Sequence, residues 1–195
     1  MAAIRHLPLT VALLATFGAD PVSLAQSSDT TDPTVDAIER QLELGRHTRL
    51  LARIADGDAR LTAFTTDGCS GGLSASWAGF AAEFPAFAER HGDEPPWQSC
   101  CVEHDRRYHA GGARSRSAAD SFEQRKAADL ALVACVVATG AERSADLRAL
   151  YPLSEAQVAG LYQSIAELVY RAVRLGGLPC TTEPWRWGYG WPPCL

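Results

Sequence analysis

The chain predicts a mainly α fold stapled by disulfides, and three observations carry that expectation. Apolar residues recur at helical spacing along several stretches, the cysteines number six, and no alternating run of useful length marks a strand. There is no internal repeat.

The elements follow in chain order. Arg5 and His6, the apolar run Leu7 to Ala19, and small residues at Ser23 and Ala25 read as a secretory signal over 1–25, cleaved before Gln26. The run is short for a bilayer span, and no later uncharged stretch is long enough. Residues 26–33 form a polar, flexible lead-in, and 34–195 a single domain. Asp32-Pro33 offers a cap and a first-turn proline for a helix to about Asp56, with Gly45 a candidate kink. Residues 57–72 form a connection ending in a glycine loop. Ser74 to His91 is predicted helical, interrupted near Pro85 and stopped by Gly92. A turn over 93–97 feeds a helix over 100–110, and a loop over 111–117 leads to a long helix from Ser117 to Thr139, ended by Gly140. In the last helix Ser154 and Gln157 form a capping box, Val158, Leu161, Tyr162, Ile165, Leu168, Val169 and Val173 keep helical spacing, and Gly176-Gly177 ends it.

The net charge is −5, unchanged on removing the signal because Arg5 and Asp20 leave together, and Lys126 is the sole lysine. That balance argues against nucleic acid and against purely electrostatic docking on anionic membranes. An even cysteine count behind a signal favours disulfides and a secreted or periplasmic location.

The most informative stretch is Cys100-Cys101-Val-Glu-His104-Asp105-Arg-Arg-Tyr108. On a helix Cys101, His104, Asp105 and Tyr108 share one stripe, bringing together a base, a hard-metal ligand and a phenol. Cys100 points about 100° away, so the two sulfurs meet different neighbours. Asp129 shares a second stripe with Leu132, Val133 and Val136. A carboxylate on an apolar face needs a partner, and an imidazole is the obvious candidate. Asp120 is the runner-up, although its place near a helix start suits an N-cap. Ser70 within Gly68-Cys-Ser-Gly-Gly72 also satisfies the G-x-S-x-G pattern of a serine acyl-hydrolase, which requires a preceding strand. A zinc site through Cys100 and His104 would require free thiolates. His47, His91 and His109 lack a partner pattern and read as surface residues.

The double cysteine, two residues, His-Asp and a Tyr four residues after the His, preceded by Asp67-Gly-Cys-Ser-Gly-Gly72, resemble the secreted phospholipase A2 superfamily. The resemblance covers 67–72 and 100–135. It implies a disulfide-stapled fold in which two long antiparallel helices carry the site. It also implies His104 as base, Asp129 (six residues before Cys135) orienting it, and Tyr108 bonded to Asp129. Calcium would sit on the carbonyls of Gly68, Ser70 and Gly72 and the Asp105 side chain, with Asp67 an alternative ligand. The implied bridges are Cys69–Cys101 and Cys100–Cys135, leaving Cys180 with Cys194. The implied activity is calcium-dependent hydrolysis of the sn-2 ester of glycerophospholipids at membrane or micelle interfaces, by a peripheral protein. A binding module or toxin on the same fold is the alternative. The chain departs from the family at Arg107, where many members carry a cysteine. It also departs in an insertion bearing Trp77, Phe80, Phe84, Phe87 and Trp97, readable as core padding or as a lid or lipid-facing surface. The tail Pro184 to Trp191 is equally readable as an interfacial anchor or as core.

Overall fold

A computed structural model describes residues 33–194. The segment read as a signal, the lead-in up to residue 32 and the Asp32 cap lie outside the described residues. Within them the chain forms α1 (Pro33–Ala55), α2 (Leu73–Glu83), α3 (Pro85–His91), α4 (Gln98–His109), α5 (Ala118–Leu150) and α6 (Glu155–Gly176), with no strand. None of these helices is long and apolar enough to cross a membrane.

Local chemistry sets most boundaries. Pro85 opens α3 after Phe84 leaves helical geometry, and Gly92 closes it at φ 77°. Ser117 caps α5 by accepting from Asp120 N–H, and Ser154 with Gln157 forms the full capping box of α6. Asp120 is therefore not the cap itself. It sits three residues inside, its carboxylate accepting from Arg116 N–H.

One boundary differs from expectation. The long helix does not stop at Gly140 but continues to Leu150. Gly140 is buried, and a Cβ there would lie 2.3 Å from Cγ of Tyr162. The glycine is a contact point that lets α6 close on α5 rather than a terminator. Likewise α1 runs through Gly45 without a break.

Helix α5 packs against α1, α4 and α6 and forms the spine. Paired positions show antiparallel neighbours: Cys100 with Cys135, His104 with Asp129 and Tyr108 with Arg125 between α4 and α5. Of the two site helices only α5 is long, with 33 residues against 12 for α4. Buried apolar residues form two clusters. One holds Cys69, Trp97, Cys101, Leu132, Val136, Val158 and Tyr162; the other holds Leu50, Tyr108, Ala128 and Trp187. Helix α4 contributes Cys101 to the first and Tyr108 to the second, so His104 lies between them.

Three disulfides close the frame: Cys69–Cys101, Cys100–Cys135 and Cys180–Cys194. The first ties the glycine loop to α4, the second ties α4 to α5, and no cysteine is free among the described residues. The bridged Cys100 leaves no thiolate for zinc. The tail folds inward. Trp187 is buried, stands edge-on to Tyr108 at 5.1 Å and donates from Nε1 to Ser121 Oγ at 3.1 Å. The Trp187 ring is therefore core rather than anchor. The aromatic insertion divides between both readings: Trp97 is buried with Trp77 against it, while Phe80 and Phe84 remain 48% and 49% exposed.

Candidate functional site

Helix α4 turns His104, Asp105 and Tyr108 inward, each no more than 6% exposed. Two bridges on adjacent residues fix its rotation, so the stripe has one orientation available. From α5, Asp129 reaches the same point and is fully buried. His104 Nε2 lies 2.9 Å from Asp129 Oδ1, and Tyr108 Oη donates to that same oxygen at 2.6 Å. A carboxylate accepts only, so Nε2 carries the proton and Nδ1 keeps its lone pair. Nδ1 lies 3.9 Å from Asp105 Oδ1, too far for a direct hydrogen bond.

The charges are tuned by their neighbours. Burial works against a charged His104, but the carboxylates of Asp105 and Asp129 outweigh it and hold the imidazole above its usual value. Burial favours a neutral Asp129, yet the His104 hydrogen bond, the Arg125 charge and the Tyr108 hydroxyl keep it ionised below the usual carboxylate range. Burial, then the Asp129 charge, pushes the Tyr108 phenol far up, so it stays a donor.

The glycine loop lies beside this pair. Gly68, Gly71 and Gly72 all have positive φ. At Gly68 a side chain is excluded twice over, by φ 79° and by Gln98 and Ser74, which a Cβ would strike at 2.2 and 2.8 Å. Thr66 Oγ1 donates to Asp105 Oδ2 at 2.6 Å, and Ser70 Oγ to Asp67 Oδ1 at 2.9 Å. Thr65, Thr66, Asp67, Ser70, Asp105 and Tyr189 line a cavity of about 300 Å³. No three His, Cys, Asp or Glu side chains among the described residues converge as a metal group. A cation there would rest on one or two carboxylates plus backbone and hydroxyl oxygens. That set suits a hard ion of flexible coordination.

Above His104 lies a second cavity of about 270 Å³, lined by Cys69, Leu73, His104, Leu132, Leu168, Val169 and Trp185 among others. Leu73 and Leu168 are also 38% and 70% exposed, so its rim is apolar and open to solvent. A polar, oriented base at the floor of an apolar cleft can act on an ester whose acyl group fills the cleft.

No protein-family model, curated protein or solved structure matches the chain.

Three histidines lie where the sequence did not suggest. His47 is fully buried, with Nδ1 2.8 Å from Ser121 Oγ and Nε2 3.4 Å from Glu43. His109 is buried edge-on to Phe64 and Tyr189. His91 is half-buried, stacked on Tyr151 and bonded to its hydroxyl at 2.7 Å. Each has a partner far away in sequence (Ser121 for His47, Tyr189 for His109, Tyr151 for His91), which local spacing does not reveal; the contact of His47 with Glu43 is local. Arg125, Arg174 and Glu43 were also missed. Arg174 Nη1 donates to Asp129 Oδ2 at 3.1 Å, and Arg125 Nε donates to Tyr108 Oη at 3.1 Å. Glu43 accepts from both arginines. The one available signal was Glu39, Glu43 and His47 at helical spacing on α1, a charged stripe on a helix with a core to cover.

Proposed function

We propose that this chain is a phospholipase A2-like protein that hydrolyses the sn-2 ester of glycerophospholipids with calcium, releasing a fatty acid and a lysophospholipid. The carrying observation is the juxtaposition of a His104–Asp129 pair, the Asp105 carboxylate beside a glycine loop, and an apolar cleft. The finer fold assignment rests on the same juxtaposition together with the motif resemblance.

In this reading His104 Nδ1 takes a proton from the attacking water, general-base work typically worth about 10²–10⁴-fold in rate. Asp129 keeps the proton on Nε2 and stabilises the imidazolium that forms. Tyr108 donates to the same Asp129 oxygen that accepts from His104, which helps keep that carboxylate ionised. Asp105, with the loop carbonyls of Gly68, Ser70 and Gly72, or with the Asp67 side chain as the alternative ligand, would hold the calcium. When bound, calcium supplies positive charge for the carbonyl oxygen as the ester is attacked. Leu73, Leu132, Leu168 and Val169 would receive the acyl chain. The exposed Leu73 and Leu168 suit a peripheral approach to a lipid surface, and three disulfides suit a secreted or periplasmic setting.

Ser70 is a weaker nucleophile candidate. Its hydroxyl is bonded to Asp67 rather than to an imidazole, and the stretch before it holds no strand. The test is fatty-acid release from phosphatidylcholine vesicles with calcium and with a chelator. Release with calcium, abolished by chelation and by His104→Ala, is the expected result. A calcium-binding protein without turnover would instead be a binding module, and chelator-resistant release would overturn the mechanism.

A further inference from the structure

Five acidic and basic side chains meet where α1, α5 and α6 cross, and the mechanism above uses only one of them. Asp129, Arg125, Glu43 and Arg174 are buried, and Glu39 is partly so. Arg174 is a fork. Nη1 donates to Asp129 Oδ2 at 3.1 Å, while Nη2 donates to Glu43 Oε1 at 2.7 Å and Glu39 Oε2 at 3.0 Å. Its Nε finds no hydrogen-bond partner among the described residues, so its hydrogen bonds run through the two terminal nitrogens, while its face lies 5.4 Å from the Phe122 ring centroid. Arg125 supports the same point from below. It donates to Glu43, to Tyr108 Oη at 3.1 Å, and to the carbonyls of Val173 and Arg174 at 2.8 Å each.

This arrangement addresses a specific difficulty. Asp129 Oδ1 is shared by His104 and Tyr108, but a carboxylate anchored at one oxygen can still swing about its Cβ–Cγ bond. Arg174 fixes the second oxygen and so sets the plane of the carboxylate. An unbalanced arginine would draw the Asp129 charge away from the imidazole. Glu43, shared between both arginines, returns the cluster of four buried charges to neutrality.

We propose that Arg174 is a positioning residue: its fork between Asp129 and Glu43 aligns Asp129 with His104, making α1 a structural part of the site. The kinetic consequence rests on the hydrolytic reading above; the structural consequence does not. A lysine cannot reproduce it, because an ammonium is a point donor without a planar fork.

The experiment compares wild type, Arg174→Lys and Arg174→Gln as intact, disulfide-bonded full-length proteins. Two quantities are read: the proton resonance of His104 Nε2–H, and kcat and KM on phosphatidylcholine vesicles with calcium. A strong imidazole–carboxylate bond places the resonance far downfield. In both variants it should move upfield or broaden, and kcat should fall about 10- to 100-fold with KM nearly unchanged, as for a misplaced base. Arg174→Lys keeps the charge and guards against loss of fold in Arg174→Gln. A folded Arg174→Lys protein with the wild-type resonance and kcat overturns the proposal, whatever the glutamine variant does. If wild type releases no fatty acid yet the resonance still follows Arg174, positioning stands and the lipase reading fails.

Discussion

Replacing Asp129 with asparagine changes one oxygen for an amide nitrogen at nearly constant volume, and the hydrogen-bond pattern leaves it no satisfactory pose. With its carbonyl toward His104 and Tyr108, the new amide faces Arg174 Nη1, a donor meeting a donor at 3.1 Å. Flipped, it presents two donors to His104 Nε2 and Tyr108 Oη, and the imidazole must move its proton to Nδ1 to accept. The first pose leaves Arg174 short of an acceptor, and the second removes the basic lone pair from the cleft. Losing a hydrogen bond to a charged group costs about 1.5–3 kcal/mol, and leaving a buried charge uncompensated about 3–5. Because Glu43 still faces both arginines, about 3 kcal/mol is the reasonable expectation. At this chain length that lowers Tm by about 6–12 °C. In the Ser-His-Asp template the same carboxylate-to-amide change costs about 10⁴ in kcat through the wrong tautomer, and a comparable loss is expected here. Calorimetry and fatty-acid release measure the two effects. A Tm within about 2 °C of wild type together with kcat within about fivefold would refute the reasoning, since both follow from one hydrogen-bond count.

Gly140→Ala should destabilise by up to about 2 kcal/mol in urea titration, because overpacking against the Tyr162 ring, about 1–3 kcal/mol, exceeds the ~1 kcal/mol gain in helix propensity. An increase in stability would show that α5 and α6 do not meet there. His47 should make the fold acid-sensitive. Burial holds its pKa below 6.5, so the unfolded chain protonates first as pH falls through 6.5, and stability complete above that value declines below it. The slope is at most about 1.4 kcal/mol per pH unit for one proton, and His47→Leu should remove that component from Tm measured between about pH 7 and 5. Calcium at about 100 times its Kd should add about 2.7 kcal/mol of stability in thermal melts, and Asp105→Asn should abolish most of it. An unchanged calcium response in that variant would move the ion elsewhere. Removing the Cys180–Cys194 bridge should cost about 3 kcal/mol by the entropy of a loop with separation 14, read as a lower urea midpoint.

Much of the site was legible because its parts are local. His104, Asp105 and Tyr108 share a helical stripe by spacing alone, and Asp129 betrays itself as a carboxylate among Leu132 and Val136. The capping box at Ser154 and the break at Pro85 are likewise settled within four residues of chain, by backbone groups that must find partners. Other features required the helices to be assembled. Gly140 has the same local chemistry as a terminator, and only the Tyr162 ring pressed against it makes it a packing site. Arg125 and Arg174 look like surface arginines until α1 brings Glu43 to them across 82 and 131 residues. His47 is polar in sequence and fully buried in the fold because Ser121, from the start of α5, satisfies its ring. Trp187 could serve a membrane or a core until Tyr108 and Ser121 claim it. By itself the sequence determined helix content, the stripes that face inward and the residue types at the centre, since these depend on spacing and local hydrogen bonding. Which buried charges neutralise one another was decided only by tertiary structure, because a charge's cost is set by what stands beside it in space.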